Sequence, residues 1–110
     1  MKLAIIGSRA VIDINIAEYI PQGVTEIVSG GAKGVDSLAR EYAHDRDIKL
    51  TEFLPDYRRY GRGAPLKRNE SIAEYADEAL AFWDGHSKGT AHAVRQFKSL
   101  GKPVTLITLS

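Results

Sequence analysis

Short apolar runs alternate with segments of helical periodicity along the chain, and this alternation limits the fold more than any other feature. The apolar runs predict five strands, over residues 2–6, 25–28, 48–53, 78–83 and 104–109. The segments between them predict helices over 13–20 and 65–76, a helix with the apolar face Val35, Leu38, Ala39, Tyr42 and Ala43, and a helix carrying Thr90, Ala93, Val94 and Phe97. Strands separated by amphipathic helices form parallel sheets that are covered on both faces. We therefore expect an α/β fold, a Rossmann-like three-layer α/β/α arrangement with a mostly parallel five-stranded sheet.

The composition excludes several classes of protein. A length of 110 residues fits a single domain over 1–110, and a net charge of +1 gives no global field for nucleic acid or a membrane. The chain has no cysteine, which excludes disulfides, thiolate metal sites and a cysteine nucleophile. The three histidines lack metal-ligand spacing, so no metal site is expected. Without a long apolar run or a signal peptide, we expect a cytoplasmic protein.

A glycine-rich segment follows the second predicted strand and opens the next helix. It reads Ser29-Gly30-Gly31-Ala32-Lys33-Gly34-Val35-Asp36. Glycine lets the backbone approach a ligand closely, and the unpaired N–H groups at a helix start attract anions, most often phosphate. A tight strand-to-helix turn, with Ser29 capping the helix and Asp36 favoured by the helix dipole, stays open as the alternative.

Other residues that are able to bind a ligand or take part in a reaction follow the remaining strands. Parallel strands end at one edge of the sheet, where ligands bind in open sheets of this kind, so we expect these residues to lie together. The predicted ligand-binding residues are Gly7, Ser8, Arg9, Ser29, Gly30, Gly31, Lys33, Gly34, Asp36, Arg68, Asn69, Asp84, Ser87, Gly89 and Thr90. A basic cluster lies next to Tyr57 and Tyr60 and consists of Arg58, Arg59, Arg62, Lys67 and Arg68. Basic side chains contact the backbone of a nucleic acid, and tyrosine rings stack on its bases.

The motifs together resemble the SLOG superfamily, which includes the LOG-type phosphoribohydrolases and DNA-processing protein A. The resemblance runs over almost the whole chain and is nearest to the small single-domain branch related to YspA and YpsA. It is carried by Gly7-Ser8-Arg9, by the segment from Ser29 to Asp36, by Arg68-Asn69, and by Ala81-Phe82-Trp83-Asp84-Gly85 with Ser87-Lys88-Gly89-Thr90. It implies a Rossmann-like fold, a site for a nucleotide or nucleotide-derived ligand, and a homodimer.

One position departs from the LOG enzymes. Their Gly-Gly-x-Gly-Thr-x-x-Glu pattern supplies a glutamate for glycosidic cleavage, but Ala93 stands at that position here. An aliphatic side chain transfers no proton, so the hydrolase activity does not carry over directly. Asp36 and Asp84 remain candidates for the missing carboxylate, with Arg68 as the group that stabilises phosphate.

Three functions follow from these patterns. The first is binding of an AMP-like or ADP-ribose-like molecule, with no cofactor required, by a sensor, carrier or processing module. The second is hydrolysis of an N-glycosidic or phosphate-ester bond in a nucleotide. The third is single-stranded DNA binding through Tyr57, Tyr60 and the basic cluster, which the near-zero net charge disfavours.

Overall fold

Five parallel strands form the centre of the molecule in a computed structural model, which describes residues 1–11 and 13–109. The strands are β1 (Lys2–Gly7), β2 (Glu26–Ser29), β3 (Lys49–Glu52), β4 (Glu78–Trp83) and β5 (Val104–Thr108). Their order is β3-β2-β1-β4-β5, and all four neighbouring pairs are parallel. The chain builds outward from β1 to β3 and then returns to place β4 on the other side of β1. The carboxyl ends of β1 and β4 therefore meet where the strand order reverses.

Helices cover both faces of the sheet. They are α1 (Val35–Asp45), α2 (Tyr57–Tyr60), α3 (Ala64–Tyr75) and α4 (Lys88–Ser99), with single 3₁₀ turns at Ile16–Tyr19 and Gly61–Gly63. This arrangement confirms the expected Rossmann-like three-layer fold. Among the described residues, no helix combines the length and the apolar content needed to cross a bilayer.

Two apolar clusters lie on opposite faces of the sheet. The first joins α3 and α4 to the sheet through Ile72, Ala73, Val94 and Phe97. The second joins α1 and the first 3₁₀ turn to the other face, and its buried members are Leu3, Ile5, Ile16, Ile27, Val35, Ala39, Ala43, Leu80 and Phe82. Alternate residues of β1 belong to different clusters, as the two-residue period of a strand requires. Because α1 and α4 pack on the sheet and follow β2 and β4, they begin at the carboxyl edge of the sheet.

Two segments differ from the sequence-based expectation. A helix over 13–20 is wrong, because only Ile16–Tyr19 form a turn and Asn15, without a side-chain cap, precedes it. Ile16 is the one residue of this turn that is buried. Packing of this side chain therefore decides the local structure more than the helical periodicity of the segment does. Residues 56–63, to which the sequence patterns assign neither a strand nor a helix, are largely helical, because the Asp56 carboxylate accepts a hydrogen bond from the Arg59 N–H at 3.2 Å and caps α2.

A lysine side chain closes the end of α3. The Lys102 ammonium group donates to the carbonyl oxygens of Ala73, Glu74 and Ala76 at 2.7, 3.0 and 2.8 Å. The last carbonyl groups of a helix have no partner within the helix, and a cation beside them also interacts favourably with the helix dipole. Lys102 therefore ties the segment before β5 to the end of α3.

Replacing this lysine with methionine should lower the free energy of unfolding by about 2 kcal/mol, since the carbonyl groups lose charged donors while the apolar stem is kept. Urea unfolding of Lys102→Met measures the change. Lys98→Met, an exposed lysine in the last turn of α4, is the matched control and should change stability by less than about 0.5 kcal/mol. Equal losses in the two variants would contradict the capping role.

Candidate functional site

An open cleft of about 450 Å³ lies at the carboxyl ends of β1 and β4, where the strand order reverses. This is the edge at which the sequence places the ligand site. Eleven of the predicted binding residues line the cleft: Gly7, Ser8, Arg9, Gly30, Asp36, Arg68, Asn69, Asp84, Ser87, Gly89 and Thr90. The loops after β1, β2 and β4 and the second turn of α3 thus converge on one space.

Four predicted residues lie outside the cleft wall. Ser29 is fully buried, and its side-chain oxygen accepts a hydrogen bond from the Gly31 N–H at 3.4 Å. Gly31 lies under Leu54, and Lys33 is exposed. Gly34 lies against the backbone of Ser8 and Arg9 and leaves no space for a side chain.

Apolar residues complete the cleft, and sequence reasoning did not select them. They are Ile6, Ala10, Ala32, Pro65, Ile72 and Ala93. Small and apolar residues carry no chemical signal that separates a cleft wall from a core. The resemblance did mark Ala93 as the position of the LOG glutamate, and the structure places this alanine in the wall of the cleft.

The start of α4 presents backbone donors beside the cleft. The Ser87 hydroxyl oxygen accepts from the Thr90 N–H at 3.3 Å, and the two side-chain oxygens lie 3.2 Å apart. Among residues 1–11 and 13–109, neither the Lys88 nor the Gly89 N–H has a hydrogen-bond partner. Gly89 itself lines the cleft, and unpaired N–H groups at a helix start carry partial positive charge.

Asp84 organises the loop that leads into α4. Its carboxylate accepts from the His86 and Ser87 N–H groups, each at 2.8 Å, and its own N–H donates to the Ser8 hydroxyl at 3.4 Å. The Ser87 and His86 donors lower the pKa of this carboxyl below its ordinary value. The Asp84 carboxylate is therefore stabilised in its ionised form, and backbone N–H groups already bind its Oδ1.

Arg68 connects the glycine-rich loop to α3. Its Nη1 donates to the Gly30 carbonyl oxygen at 2.8 Å, and its Nε donates to Asn69 Oδ1 at 3.2 Å. Burial lowers the pKa of the guanidinium, the nearby Arg9 acts in the same direction, and Asp36 opposes them. A guanidinium stays charged at neutral pH, so Arg9 and Arg68 bring two positive charges to the cleft.

Asp36 lies in the first turn of α1 and is 8% exposed. Its Oδ2 accepts from the Ala32 N–H at 3.0 Å, so the side chain folds back over the loop. Burial raises the pKa of this carboxyl, although the Ala32 N–H and the Arg68 charge pull it down. The two aspartates in the cleft therefore shift in opposite directions.

Asn69 holds Arg68 and the start of α4 together. Its Oδ1 accepts from Arg68, and its Nδ2 donates to the Gly89 carbonyl oxygen at 3.3 Å and lies 3.3 Å from His92 Nδ1. At 7% exposure, Asn69 is a buried polar bridge between two walls of the cleft. In the part of the chain that the structure describes, no three histidine or carboxylate side chains gather closely enough to hold a metal ion.

The buried carboxyl of Asp36 predicts a pH effect on stability. Since its folded-state pKa is raised, this group favours folding at low pH, and its contribution is lost as the pH rises through the folded-state pKa. Asp36→Asn should remove this loss and unfold no more easily than the wild type at pH 7. Urea unfolding between pH 4 and pH 8 tests this, and a variant that is clearly less stable at pH 7 would contradict it.

Comparisons with known proteins agree with the motifs. The model of the YspA, cpYpsA-related SLOG family, YAcAr, matches residues 1–60. The chain is 36% identical over 90 residues to the Gene 61 protein of Mycobacterium phage D29, covering 76% of this chain and 71% of the relative. No solved structure matches the chain significantly. The chain therefore belongs to the YspA, cpYpsA-related SLOG family, as its sequence motifs indicated.

Proposed function

We infer that the cleft binds a nucleotide or nucleotide-derived molecule, with a phosphate between the start of α4 and the guanidinium groups of Arg9 and Arg68. One observation carries this inference: Gly89, whose backbone N–H has no partner among the described residues, lines the same open space as Arg9 and Arg68. The Arg9 side chain has no hydrogen-bond or ion-pair partner among the described residues, so it is available to an anion. The family membership supports a nucleotide-related role in general.

The cleft also suits the non-phosphate part of such a ligand. A volume of about 450 Å³ falls in the usual range for small-molecule sites, and the wall carries apolar residues such as Pro65 and Ala93. Sugar hydroxyl groups would find acceptors in Asp36, and the apolar wall would cover a base. The same space thus offers charge, hydrogen bonds and apolar surface.

Thermal unfolding with AMP, ADP-ribose and inorganic phosphate tests the binding role. A ligand at about 100 times its dissociation constant should stabilise the folded protein by roughly 2.7 kcal/mol, because it binds only the folded state. Titration calorimetry should then give the affinity. Absence of a shift with every nucleotide would reject the proposal, and an equal response to phosphate alone would reject the nucleotide part.

The raised pKa of Asp36 supports a second candidate function, hydrolysis of an N-glycosidic bond. A carboxyl that keeps its proton to higher pH is suited to protonate a leaving base while water adds to the sugar. Asp84 lacks this property, since two backbone donors stabilise its ionised form. Asp36 is therefore the better of the two carboxylate candidates.

Release of free base from nucleoside monophosphates measures this activity directly. Asp36→Asn should abolish the release while AMP still binds, because the amide keeps the shape but supplies no proton. Glu41→Gln, on the exposed side of the same helix, is the matched control. Turnover that persists in Asp36→Asn would eliminate this mechanism and leave the binding role intact.

A further inference from the structure

A second depression opens next to the cleft, on the side of α2 and α3. We call it the outer groove, and its charged residues and its tyrosine are Asp56, Tyr60, Lys67, Arg68, Glu70 and Glu74, with Phe53 and Ser71 also in the lining. Its volume is about 310 Å³. Arg68 lines both spaces, so the cleft and the outer groove adjoin at this residue. A ligand larger than one nucleotide unit would pass over this residue.

Charge is distributed unevenly along this path. At the junction, Nη1 and Nε of Arg68 are used by Gly30 and Asn69, while Nη2 has no partner among the described residues. Farther out, the walls carry the carboxylates of Asp56, Glu70 and Glu74, and Lys67 pairs with Glu70 at 3.8 Å. A phosphate is therefore favoured at the junction and disfavoured at the far end, where hydroxyl and amino groups would find acceptors.

An aromatic ring lies in the outer groove. Tyr60 is 39% exposed, and the Arg59 guanidinium and the Lys67 ammonium lie 5.2 and 5.8 Å from its ring centre. No described residue hydrogen-bonds its hydroxyl group, so no hydrogen bond fixes the position of the ring. A partly exposed ring flanked by cations is a surface on which a planar base stacks.

We propose that the outer groove is a second subsite, and that the full site binds a ligand of two nucleotide units joined by an internal phosphate linkage. The linkage lies at Arg68, the second base stacks on Tyr60, and the second sugar faces the carboxylates. The proposal rests on the proposed function, because the cleft must hold the first unit.

Calorimetric titration with three adenine ligands tests the second subsite. The dinucleotide pApA should bind at least about tenfold more tightly than AMP, since stacking of one further base gives a gain of that order. Adenosine 3′,5′-bisphosphate carries the second phosphate without the second base, so its gain over AMP should be smaller than that of pApA and measures the phosphate contact alone. Tyr60→Ala should reduce pApA to the affinity of AMP and leave AMP unchanged, whereas Tyr60→Phe should keep the preference.

The outcomes separate the two proposals. Leu100→Ala, a change at an exposed apolar residue beyond the end of α4, is the control and should keep the preference for pApA. If AMP binds but pApA binds no better, or if Tyr60→Ala weakens both ligands equally, the second subsite is rejected and the cleft remains. If neither ligand binds, the proposed function itself fails. Affinity that keeps rising to a ten-nucleotide strand would replace the two-unit ligand with single-stranded nucleic acid.

Discussion

Gly34→Ala should lower the free energy of unfolding by about 3–5 kcal/mol, a large share of the total for a domain of this size. Gly34 has φ of 70° and ψ of −123°, a conformation that L side chains rarely adopt. A Cβ at this position would also lie 2.5 Å from the Arg9 carbonyl oxygen. Because that neighbour is backbone, it cannot rotate away, and the loop after β1 would have to move.

Gly101→Ala is the matched control for this prediction. Gly101 has nearly the same φ, 71°, but no described residue except its chain neighbours lies within 4 Å of a Cβ built there. Its substitution should cost only the backbone strain, about 1–2 kcal/mol. Urea unfolding of both variants shows how much the unusual ψ of Gly34 and the close approach of two loops add to the cost of a positive φ. If Gly34→Ala were no less stable than Gly101→Ala, the contact between these loops would not matter to the fold.

Arg68→Met should weaken binding of AMP by about 30- to 100-fold, equivalent to about 2–3 kcal/mol, if the cleft holds the phosphate as proposed. Methionine keeps much of the apolar stem but loses the charge and the donors. The substitution also removes the bond to the Gly30 carbonyl oxygen, which should lower the free energy of unfolding by about 1 kcal/mol. This effect on stability is smaller than the effect on binding. Calorimetry and urea unfolding on the same samples separate the two effects.

Two further substitutions sharpen this test. Arg68→Lys keeps the charge without the planar fork and should recover part of the affinity. Arg40→Met removes a guanidinium that pairs with Glu52 at 2.9 Å on the surface and should leave AMP binding unchanged. An equal loss in Arg40→Met and Arg68→Met would indicate a general charge effect and would contradict a specific contact.

The sequence predicted the sheet well because apolar runs in buried parallel strands are nearly continuous. The strand β4 (Glu78–Trp83) has the predicted bounds, and β1 (Lys2–Gly7) is one residue longer than predicted. The helix expected over 13–20 fails because so short a segment depends on its packing more than on its own periodicity. Asp56, the N-cap of α2, is a residue typical of a helix start and could have indicated this helix. The nearby Gly61 and Gly63 favoured a loop instead.

The candidate site was predictable where it depends on topology. Parallel strands end at one edge of the sheet, so the sequence alone predicts that Arg9, Asp84 and Gly89 lie together. The direction of each loop residue was not predictable in the same way. Nothing local shows that Gly31 lies under Leu54, or that Asp36 folds back onto the Ala32 N–H. Those details follow from contacts between loops that are distant in sequence.

The lysine that bonds the end of α3 also offers a probe of local opening. Three carbonyl groups engage the side-chain nitrogen of Lys102, so it should react slowly with acylating reagents in the native protein. Its labelling rate would then report how often the end of α3 detaches from the segment before β5. Labelling of this single amine would report motion at the amino ends of the strands, the edge of the sheet opposite to the cleft.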